Sequence, residues 1–246
     1  YLHENQPTYP GQDPDPDRNH YGLTNVLSCL SADAIAFNSR FHRQDFHAAA
    51  RTLLQRLPSP APRKEFDAVM ENAQVIYPGI DLDALPLGAG PPPDSRLRIA
   101  FNHRWEHDKG PEAFFDALFD VAERGTPFRV AVCGQRYSKW PSVFDDARAP
   151  LGDHIDVWGP LEARDDYLAV LRRASVVVST ARHEFQGLSV LEAALAGARP
   201  LLPRRLSYPE LFPDDALYAE GELADRLDAL LRTDIRTPDP VMIEHA

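Results

Sequence analysis

The fold is decided by the stretch Ser175-Val-Val-Val-Ser-Thr-Ala-Arg-His-Glu-Phe-Gln-Gly-Leu-Ser-Val-Leu-Glu-Ala-Ala-Leu-Ala-Gly-Ala-Arg-Pro200. Its three consecutive valines predict a buried strand, because β-branched runs are typical of strands that are covered on both faces. A polar loop follows, and Gly187 then leads into a helix of strong helix formers over 191–196 that Gly197 ends. The stretch therefore predicts a strand–loop–helix unit with a glycine at the helix entrance.

The entrance of this helix is a candidate phosphate site with a carboxylate on either side. The first N–H groups of a helix have no partner within the helix and lie at the positive end of its dipole, so they suit a phosphate. Glu184 lies in the loop and Glu192 in the helix, where a charge among apolar residues needs hydrogen-bonding partners. Carboxylates accept hydrogen bonds from ribose or hexose hydroxyls. The pattern favours a nucleotide-sugar site; a solvated Glu184 and a water-facing Glu192 remain the alternative.

The composition restricts the class of protein. Lys and Arg total 26 against 37 Asp and Glu, a net charge of −11, which argues against a broad nucleic-acid or anionic-membrane surface but not against one small basic pocket. Cys29 and Cys133 lie in apolar contexts without a metal-ligand spacing, so we expect reduced core thiols in a cytosolic protein. The sequence contains no signal peptide and no long apolar run. It starts at Tyr1 with a strand-like end, so we expect an N-terminal truncation.

The chain reads as two α/β domains joined by a linker. Pro86, Gly88, Gly90 and three prolines at 91–93 give a linker composition, and we place the linker at 84–96, between domains at 1–83 and 97–246. Alternating strands and helices predict doubly wound parallel sheets, with ligands at the carboxyl ends of the strands. Strands are expected at Leu97–Asn102, Phe128–Cys133, His154–Trp158, Ser175–Ser179 and Arg199–Leu202, and helices at Pro111–Glu123, Trp140–Ala149, Arg164–Ala174 and Glu220–Arg232.

The first domain is expected to contain fewer elements. An exposed loop is expected at Gln12–His20, where aspartate and proline alternate. Ser39 can cap a helix that ends near Leu57, with a buried face of Phe41, Phe46 and Leu53-Leu54. The other expected elements are helices at Gly22–Ala32 and Lys64–Asn72 and strands at Ala34–Phe37 and Gln74–Tyr77.

Two cations lie in the loop that follows the first strand of the second domain. Arg104 and Lys109 can bind a diphosphate, Arg through its planar fork and Lys as a point charge, and fixed cations stabilise a leaving diphosphate. A surface ion cluster with Glu106 and Asp108 is the alternative. His103 lies four residues before a second histidine, but a metal site needs a third ligand that the sequence does not offer.

Further candidates follow other strands. Gly134 and Gly159 each come directly after a strand, where a glycine lets a ligand approach the backbone closely. His3, Glu4 and Asn5 follow the strand-like start of the chain, where a ligand-contacting loop or an ordinary polar loop would both fit.

Several segments resemble the tRNA-queuosine α-mannosyltransferases, a family of retaining GT-B glycosyltransferases of the family-4 type. The resemblance covers nearly the whole chain and is most specific in the Asn-His-Arg-Trp-Glu-His-Asp-Lys run. The segments are Tyr1-Leu-His-Glu-Asn-Gln6 with Tyr9-Pro10, Phe37-Asn-Ser-Arg-Phe41, Asn102–Lys109, Ser179-Thr-Ala-Arg-His-Glu-Phe185, Leu206-Ser-Tyr-Pro-Glu-Leu211, the spacing Glu184-x7-Glu192 and Tyr77-Pro-Gly-Ile-Asp81.

The resemblance implies a GT-B fold of two Rossmann-like domains, the first incomplete, in an N-terminally truncated bacterial member of the family. By analogy, Arg104 and Lys109 would bind the diphosphate, Glu192 the ribose and Glu184 the hexose, and His3 would reach the sugar. Glu4 and Asn5 would lie on the acceptor side. The remaining donor contacts would come from Gly134 and from the backbone of Phe185, Gln186, Gly187 and Leu188.

The implied activity is transfer of a hexose, mannose from GDP-mannose, with retention to queuosine in tRNA. The implied partners are a nucleotide sugar and tRNA, and the implied location is the cytoplasm, without attachment to a membrane. No cofactor is implied. No metal is implied either, because Arg, Lys and helix amides supply the positive charge. Two alternatives stay open: a GT-B glycosyltransferase with a small-molecule or glycan acceptor, which the acidic composition favours, and a non-catalytic nucleotide-sugar-binding module.

Overall fold

A computed structural model describes residues 1–8, 18–58, 60–85 and 97–233, and divides the chain into two compact units. The N-terminal unit comprises Tyr1–Gly79 and the separate segment His183–Gln186. The C-terminal unit comprises Ile80–Arg182 and Gly187–Ala246. The predicted boundaries at 83, 84–96 and 97 stay a prediction, and residues 86–96 of the predicted linker lie outside the described residues.

The N-terminal unit packs three helices against a small parallel sheet. Its elements are α1 (Arg18–Ser31), β1 (Ala36–Phe37), α2 (Arg40–Arg56), α3 (Arg63–Glu71) and β2 (Gln74–Val75). β1 pairs with β2, and Leu2 forms an isolated parallel bridge to Phe37. Ser39 caps α2 as predicted, because its hydroxyl accepts a hydrogen bond from the N–H of His42 at 3.0 Å.

Two expectations for this unit need correction. Residues 18–20 of the loop predicted at Gln12–His20 belong to α1, while residues 12–17 lie outside the described part of the chain. Phe41, placed on the buried face of α2, is half-buried, whereas Phe46 and Leu53-Leu54 are buried. The first residues of α1 lack an apolar pattern, so periodicity could not have located its start.

The C-terminal unit alternates strands and helices. Its elements are β3 (Arg98–Phe101), α4 (Pro111–Glu123), β4 (Arg129–Val132), α5 (Val143–Leu151), β5 (Ile155–Trp158), α6 (Arg164–Arg173), β6 (Val176–Val178), α7 (Leu188–Leu195), β7 (Arg199–Pro203), α8 (Tyr208–Leu211), β8 (Leu217–Tyr218) and α9 (Leu223–Arg232). All the predicted strands and helices are present, and α4 has the predicted bounds. Neither α8 nor β8 was predicted, because four and two residues are too few to show a period.

The six strands form one parallel sheet in the order β5-β4-β3-β6-β7-β8. This is the strand order of the doubly wound Rossmann fold, which confirms the predicted α/β class for this unit. The order reverses between β3 and β6, which pair through Ile99 with Val176 and Ala100 with Val177. Ligands of such sheets bind outside the carboxyl ends of the strands at this switch point.

Side chains of β4 show how helices cover both faces of this sheet. Val130 and Val132 belong to the large apolar core that also contains Phe114 of α4 and Leu227 of α9. The alternate positions, Ala131 and Cys133, pack with residues of α6 on the other face. Because strand side chains alternate between faces, this division requires apolar residues at every position from Val130 to Cys133, as observed.

Candidate functional site

A cavity of about 530 Å³ opens in the C-terminal unit at the carboxyl ends of β3 and β4. A volume of this size fits a small-molecule ligand. Asn102 follows β3 and Gly134 follows β4, while α6 and α7 contribute from the other side. The lining residues are Asn102, Cys133, Gly134, Gln135, Pro160, Leu161, Glu162, Ala163, Arg164, Tyr167 and Glu192.

Glu192 lies in the cavity wall with both carboxylate oxygens engaged. Its Oε1 accepts a hydrogen bond from the Arg164 guanidinium at 2.6 Å, and its Oε2 accepts one from the Tyr167 hydroxyl at 2.8 Å. The side chain is 19% exposed, so the water-facing position that the sequence left open does not apply. The two donors fix the carboxylate in one orientation and offset the cost of its partial burial.

A chain of hydrogen bonds connects Glu192 with the end of β3. The Nδ2 of Asn102 donates to the Tyr167 hydroxyl at 3.0 Å and to the carbonyl of Ser189 at 2.7 Å. Burial and the neighbouring carboxylate raise the pKa of Tyr167, so the phenol stays protonated and donates to Glu192. The Oδ1 of Asn102 is buried without a hydrogen-bond partner among the described residues. A cavity-lining acceptor in that state suits a ligand hydroxyl or N–H.

Gly134 provides space for the protein's own backbone. A Cβ at this position would lie 1.9 Å from the carbonyl oxygen of His103, and the residue has φ +154°. Only glycine therefore lets the loop after β4 lie against the loop after β3. A further hydrogen bond joins the same loops, from the N–H of Trp105 to the carbonyl of Gln135 at 3.0 Å.

Arg104 lies in the loop after β3 and is 39% exposed. Its guanidinium is 3.1 Å from Oε2 of Glu106. Burial alone would lower the pKa of Arg104, but a hydrogen bond with Tyr137 and the nearby carboxylates outweigh it and raise the pKa above its ordinary value, so the charge is permanent. The predicted ion cluster with Glu106 exists, and it leaves the arginine partly accessible to a phosphate.

Lys109 is almost fully buried. Its side chain is 8% exposed, and its Nζ lies 3.1 Å from Oδ2 of Asp108, whose side chain is 3% exposed. The backbone here is fixed by Thr180, whose hydroxyl donates to the Lys109 carbonyl at 2.8 Å, and by Gly110, whose missing Cβ would lie 2.5 Å from the Thr180 carbonyl. The loop after β3 is thus held against the residues that follow β6.

The helix entrance has the predicted geometry. Gly187 has φ +74° and is the N-cap of α7, which starts at Leu188. Leu188 is exposed. The first turn of α7 carries the positive end of the helix dipole, and binding of a phosphate there stays a prediction.

The segment His183–Gln186 packs within the N-terminal unit. The ring of Phe185 stacks on that of His42, with centroids 3.9 Å apart and an interplanar angle of 17°. The Nδ1 of His42 lies 2.6 Å from Oδ1 of Asn38. Burial lowers the pKa of His42 to about 4. A hydrogen bond to the Glu4 backbone raises this pKa, and the charges of nearby histidines lower it further. His42 is consequently neutral at physiological pH.

Glu184 caps its own loop. Its Oε1 accepts hydrogen bonds from the N–H of Phe185 at 3.1 Å and of Gln186 at 3.3 Å. These two N–H groups were predicted as donors to the ligand, so a ligand would have to displace the carboxylate to use them. The roles of Glu184, Phe185 and Gln186 toward a donor stay predictions.

The acceptor-side candidates differ in exposure. His3 and Glu4 are exposed, and the carboxylate of Glu4 accepts a hydrogen bond from Gln6 at 3.1 Å. Asn5 is fully buried, and its amide donates to the Asp45 carboxylate. Asn5 has a structural contact of its own, and its role toward an acceptor stays a prediction, as do those of His3 and Glu4.

Comparison with family models identifies both parts of the chain. Residues 1–80 match the N-terminal model of the tRNA-queuosine alpha-mannosyltransferases, and residues 89–237 match the model of glycosyl transferases group 1. The second match covers more than half of the chain. The chain belongs to the glycosyl transferases group 1.

A related protein narrows the family within this group. The chain is 34% identical over 226 residues to the tRNA-queuosine alpha-mannosyltransferase of Drosophila melanogaster. The alignment covers 89% of this chain and 60% of that protein, so the chain spans less than two thirds of its relative's length. Together with the N-terminal match, this confirms the predicted family.

Solved structures confirm the GT-B fold class. A mutant of S. aureus TarM, in complex with ligands that include UDP, gives a TM-score of 0.64 at 12% identity and covers 97% of this chain and 46% of its own. Sucrose-phosphate synthase of Thermosynechococcus elongatus gives 0.62 at 16% identity and covers 97% and 58%. At these identities the similarity concerns the fold alone.

Sequence reasoning gave no role to three side chains that are hydrogen-bonded in or beside the cavity, those of Asn102, Arg164 and Tyr167. Arg164 and Tyr167 lie three positions apart on one face of α6, a spacing that was readable, but nothing in the sequence connects that face to Glu192. Asn102 belongs to the Asn102–Lys109 motif, which assigns it no role of its own. In the N-terminal unit, His42 was not expected to be buried, because a lone polar residue in an amphipathic helix gives no sign of an aromatic partner.

The described residues show neither a metal-ligand cluster nor a membrane-spanning helix. They contain no group of three or more His, Cys, Asp or Glu side chains that could hold a metal ion, and His103 is buried while the side chain of His107 is 40% exposed. None of their helices combines the length and the apolar character needed to cross a membrane. The prediction that the reaction needs no metal stays a prediction.

Proposed function

We propose that this chain is part of a retaining glycosyltransferase that transfers mannose from GDP-mannose to queuosine in tRNA. The observation that carries the proposal is the cavity at the switch point of the C-terminal sheet, with Glu192 oriented by Arg164 and Tyr167. A fixed acceptor in a cavity of about 530 Å³ suits the hydroxyls of a nucleoside. Membership of the group and the Drosophila relative's name support the reaction and the acceptor.

The donor-binding roles follow from the charges around the cavity. Arg104 is proposed to bind the diphosphate through its partly exposed guanidinium. Lys109 is proposed to contribute a fixed positive charge from a nearly buried position, where electrostatic interactions are less screened than in water. The first turn of α7, from Leu188, adds the positive end of the helix dipole. Glu192 would then accept from the ribose, and Glu184 from the hexose.

The proposed reaction breaks the bond between C1 of the sugar and the diphosphate oxygen. The acceptor hydroxyl attacks C1 from the same face that the diphosphate leaves, and its proton passes to a diphosphate oxygen, so configuration is retained. The residues of this chain stabilise the charge that develops on the leaving group through Arg104 and Lys109. Positive side chains and helix amides supply this charge, so the scheme includes no metal ion and no cofactor.

The acceptor-side roles are proposed for His3, Glu4 and Asn5. His3 is exposed and would reach the sugar or the acceptor, whereas Asn5 would act by holding this loop through Asp45. A cytoplasmic location is proposed from the two cysteines, which are both free thiols in buried positions.

Two other functions remain in competition with this one. The net charge of −11 favours a neutral small-molecule or glycan acceptor over a polyanion. A nucleotide-sugar-binding module without catalysis would keep the cavity and the cations but would not turn over.

The first experiment is a calorimetric titration of the chain with GDP-mannose, GDP, UDP-glucose and UDP. We expect preference for the GDP compounds, and a loss of about 1.5–3 kcal/mol in binding free energy for each of Arg104→Ala and Lys109→Ala. Glu192→Ala should weaken nucleoside recognition. Arg172→Ala, an exposed cation on α6, is the matched control and should bind donor like wild type. Unchanged donor affinity in all three site variants would overturn the site assignment, and preference for UDP would discard GDP-mannose.

The acceptor is tested by transfer. Radiolabelled GDP-mannose is incubated with the enzyme and with queuosine-containing or queuosine-free tRNA. Label in the queuosine-containing tRNA alone supports the proposal, and label in a glycan but not in either tRNA favours the rival acceptor. Donor binding without transfer to any acceptor indicates the binding module.

A further inference from the structure

The loop after β4, residues Gln135-Arg-Tyr-Ser-Lys-Trp140, differs in charge from the rest of the chain. It contains two cations and no carboxylate, within a protein of net charge −11. Residues 135–139 are all exposed, and the ring-bearing Tyr137 is 43% exposed. We call this segment the basic loop. It begins at Gln135, which lines the cavity of the candidate donor site.

Arg136 makes cation–π contacts with two indole rings. Its Cζ lies 4.4 Å from the ring centroid of Trp140 and 5.7 Å from that of the buried Trp105. The indole of Trp140 is itself fixed, because its Nε1 donates to Asp145 at 3.0 Å. Cation–π contacts of this kind stabilise the guanidinium, and its N–H groups can bind a phosphate.

Among the residues that the structure describes, no acidic side chain neutralises either cation of the basic loop. Within the part of the chain that the structure describes, no carboxylate lies within ion-pair distance of Arg136 or Lys139. Other exposed arginines, such as Arg204 and Arg124, do have acidic partners. Two unpaired cations beside an exposed aromatic ring form the combination that single-stranded nucleic acids bind, phosphates on the cations and a base on the ring.

The position of the basic loop connects it with the donor site. The hydroxyl of Tyr137 donates a hydrogen bond to Oε1 of Gln135 at 3.2 Å, and Tyr137 is among the groups that raise the pKa of Arg104, the proposed diphosphate ligand. The backbone bond from Trp105 to Gln135 and the close approach at Gly134 fix the loop to the segment that carries Arg104. A polynucleotide on this loop would therefore lie beside the sugar donor.

We propose that the basic loop binds the RNA backbone and one unpaired base of the acceptor tRNA. Arg136 and Lys139 would contact phosphates, and the ring of Tyr137 would stack on the base. This rests on the proposed function, since tRNA is its acceptor. It also explains how a strongly acidic chain can bind a polyanion. The contact is made by the short basic loop, and a broad basic surface is not needed.

The test measures binding of fluorescently labelled queuosine-containing tRNA by anisotropy at a series of salt concentrations. The variant Arg136→Ala/Lys139→Ala removes both cations. Its control, Lys64→Ala/Arg172→Ala, removes one lysine and one arginine from exposed helix positions, so the change in net charge is the same. Each lost single-strand phosphate contact lowers the slope of log K against log salt by about 0.7, so we expect a slope shallower by about 1.4. At 0.1 M salt this corresponds to affinity weaker by roughly 25-fold.

The aromatic contact is tested separately. Tyr137→Ala should weaken tRNA binding by roughly 5- to 150-fold, the range for loss of one stacked base, while Tyr137→Phe keeps the ring and should bind within about threefold of wild type. Equal losses in both would assign the effect to the hydroxyl and overturn the stacking role.

Donor titration separates failure of this inference from failure of the proposed function. The basic-loop double variant should bind GDP-mannose as wild type does. Equal loss of tRNA affinity in the basic-loop and control variants, or loss of donor affinity in the basic-loop variant, overturns the inference. A wild-type chain that binds GDP-mannose but no tRNA also overturns it and leaves the donor site intact. A chain that binds neither overturns the proposed function itself.

Discussion

Replacing His42 by phenylalanine should reduce the acid sensitivity of the N-terminal unit. Burial holds the pKa of His42 at about 4 against an ordinary value of 6.5, so between these values the unfolded chain binds a proton that the folded chain does not. The stabilising contribution is complete above pH 6.5 and is lost as the pH falls toward 4. These two values give a loss of about 1.4 kcal/mol at pH 5.5 and about 2.5 kcal/mol at pH 4.5.

The assay is urea unfolding followed by far-UV circular dichroism at pH 8, 6.5, 5.5 and 4.5. Tryptophan fluorescence would not serve, since all three tryptophans, at 105, 140 and 158, belong to the C-terminal unit. The phenylalanine ring preserves the stack on Phe185 but cannot take up a proton. The quantity to compare is the pH-dependent difference between the two proteins, because loss of the contact with Asn38 shifts the variant by a constant amount.

His47→Gln is the matched control. His47 lies on the same helix, is 36% exposed and pairs with Asp67, so it reports the contribution of an accessible histidine. If wild type and His42→Phe lose stability in parallel from pH 8 to 4.5, the burial argument is incorrect.

Three further predictions concern the C-terminal unit. Lys109→Met should lower the free energy of unfolding by about 3–5 kcal/mol, because Asp108 stays buried without its cation. Adding Asp108→Asn should restore part of this loss. Urea unfolding in which the double variant is no more stable than the single one would contradict the argument. Tyr167→Phe should weaken GDP-mannose binding about tenfold in calorimetry, since Glu192 loses a hydrogen bond of 2.8 Å, and wild-type affinity would show that the bond does not orient the carboxylate. Gly134→Ala should lower the melting temperature steeply or prevent folding, because its Cβ would lie 1.9 Å from a backbone oxygen. Gly79→Ala, whose Cβ would have no atom within 4 Å, should melt close to wild type. Equal melting temperatures of the two variants would refute the steric argument.

The alternation of strands and helices in the C-terminal unit was predictable because each strand is rich in apolar residues and lies between turn residues. The bounds of α4 were clear, since Gly110-Pro111 starts the helix and Gly125 follows its end. In contrast, α8 and β8 are too short to show a period, and the place of β8 depends on pairing with β7. The local sequence pattern determines where long elements form, and tertiary contacts determine where short ones form.

The candidate site was predictable in its residue types but not in its contacts. The apolar neighbours of Glu192 showed that its carboxylate needs partners, yet the partners lie on α6, and no spacing rule connects the two helices. The loop of Glu184 looked polar, and the stack of Phe185 on His42 depends on residues from distant parts of the chain. Sequence indicates which groups must be paired, and the fold decides with what.

The division of the Glu184-x7-Glu192 motif between the two units has a consequence for recombination. Glu184 belongs to the four-residue segment that packs within the N-terminal unit, and Glu192 belongs to the C-terminal unit. A chimaera that exchanges only residues 1–79 with those of a relative would therefore place a foreign helix against the native Phe185. Chimaeras within this family should therefore take His42 and the segment His183–Gln186 from the same parent. In natural sequences, the residues at these positions should change together.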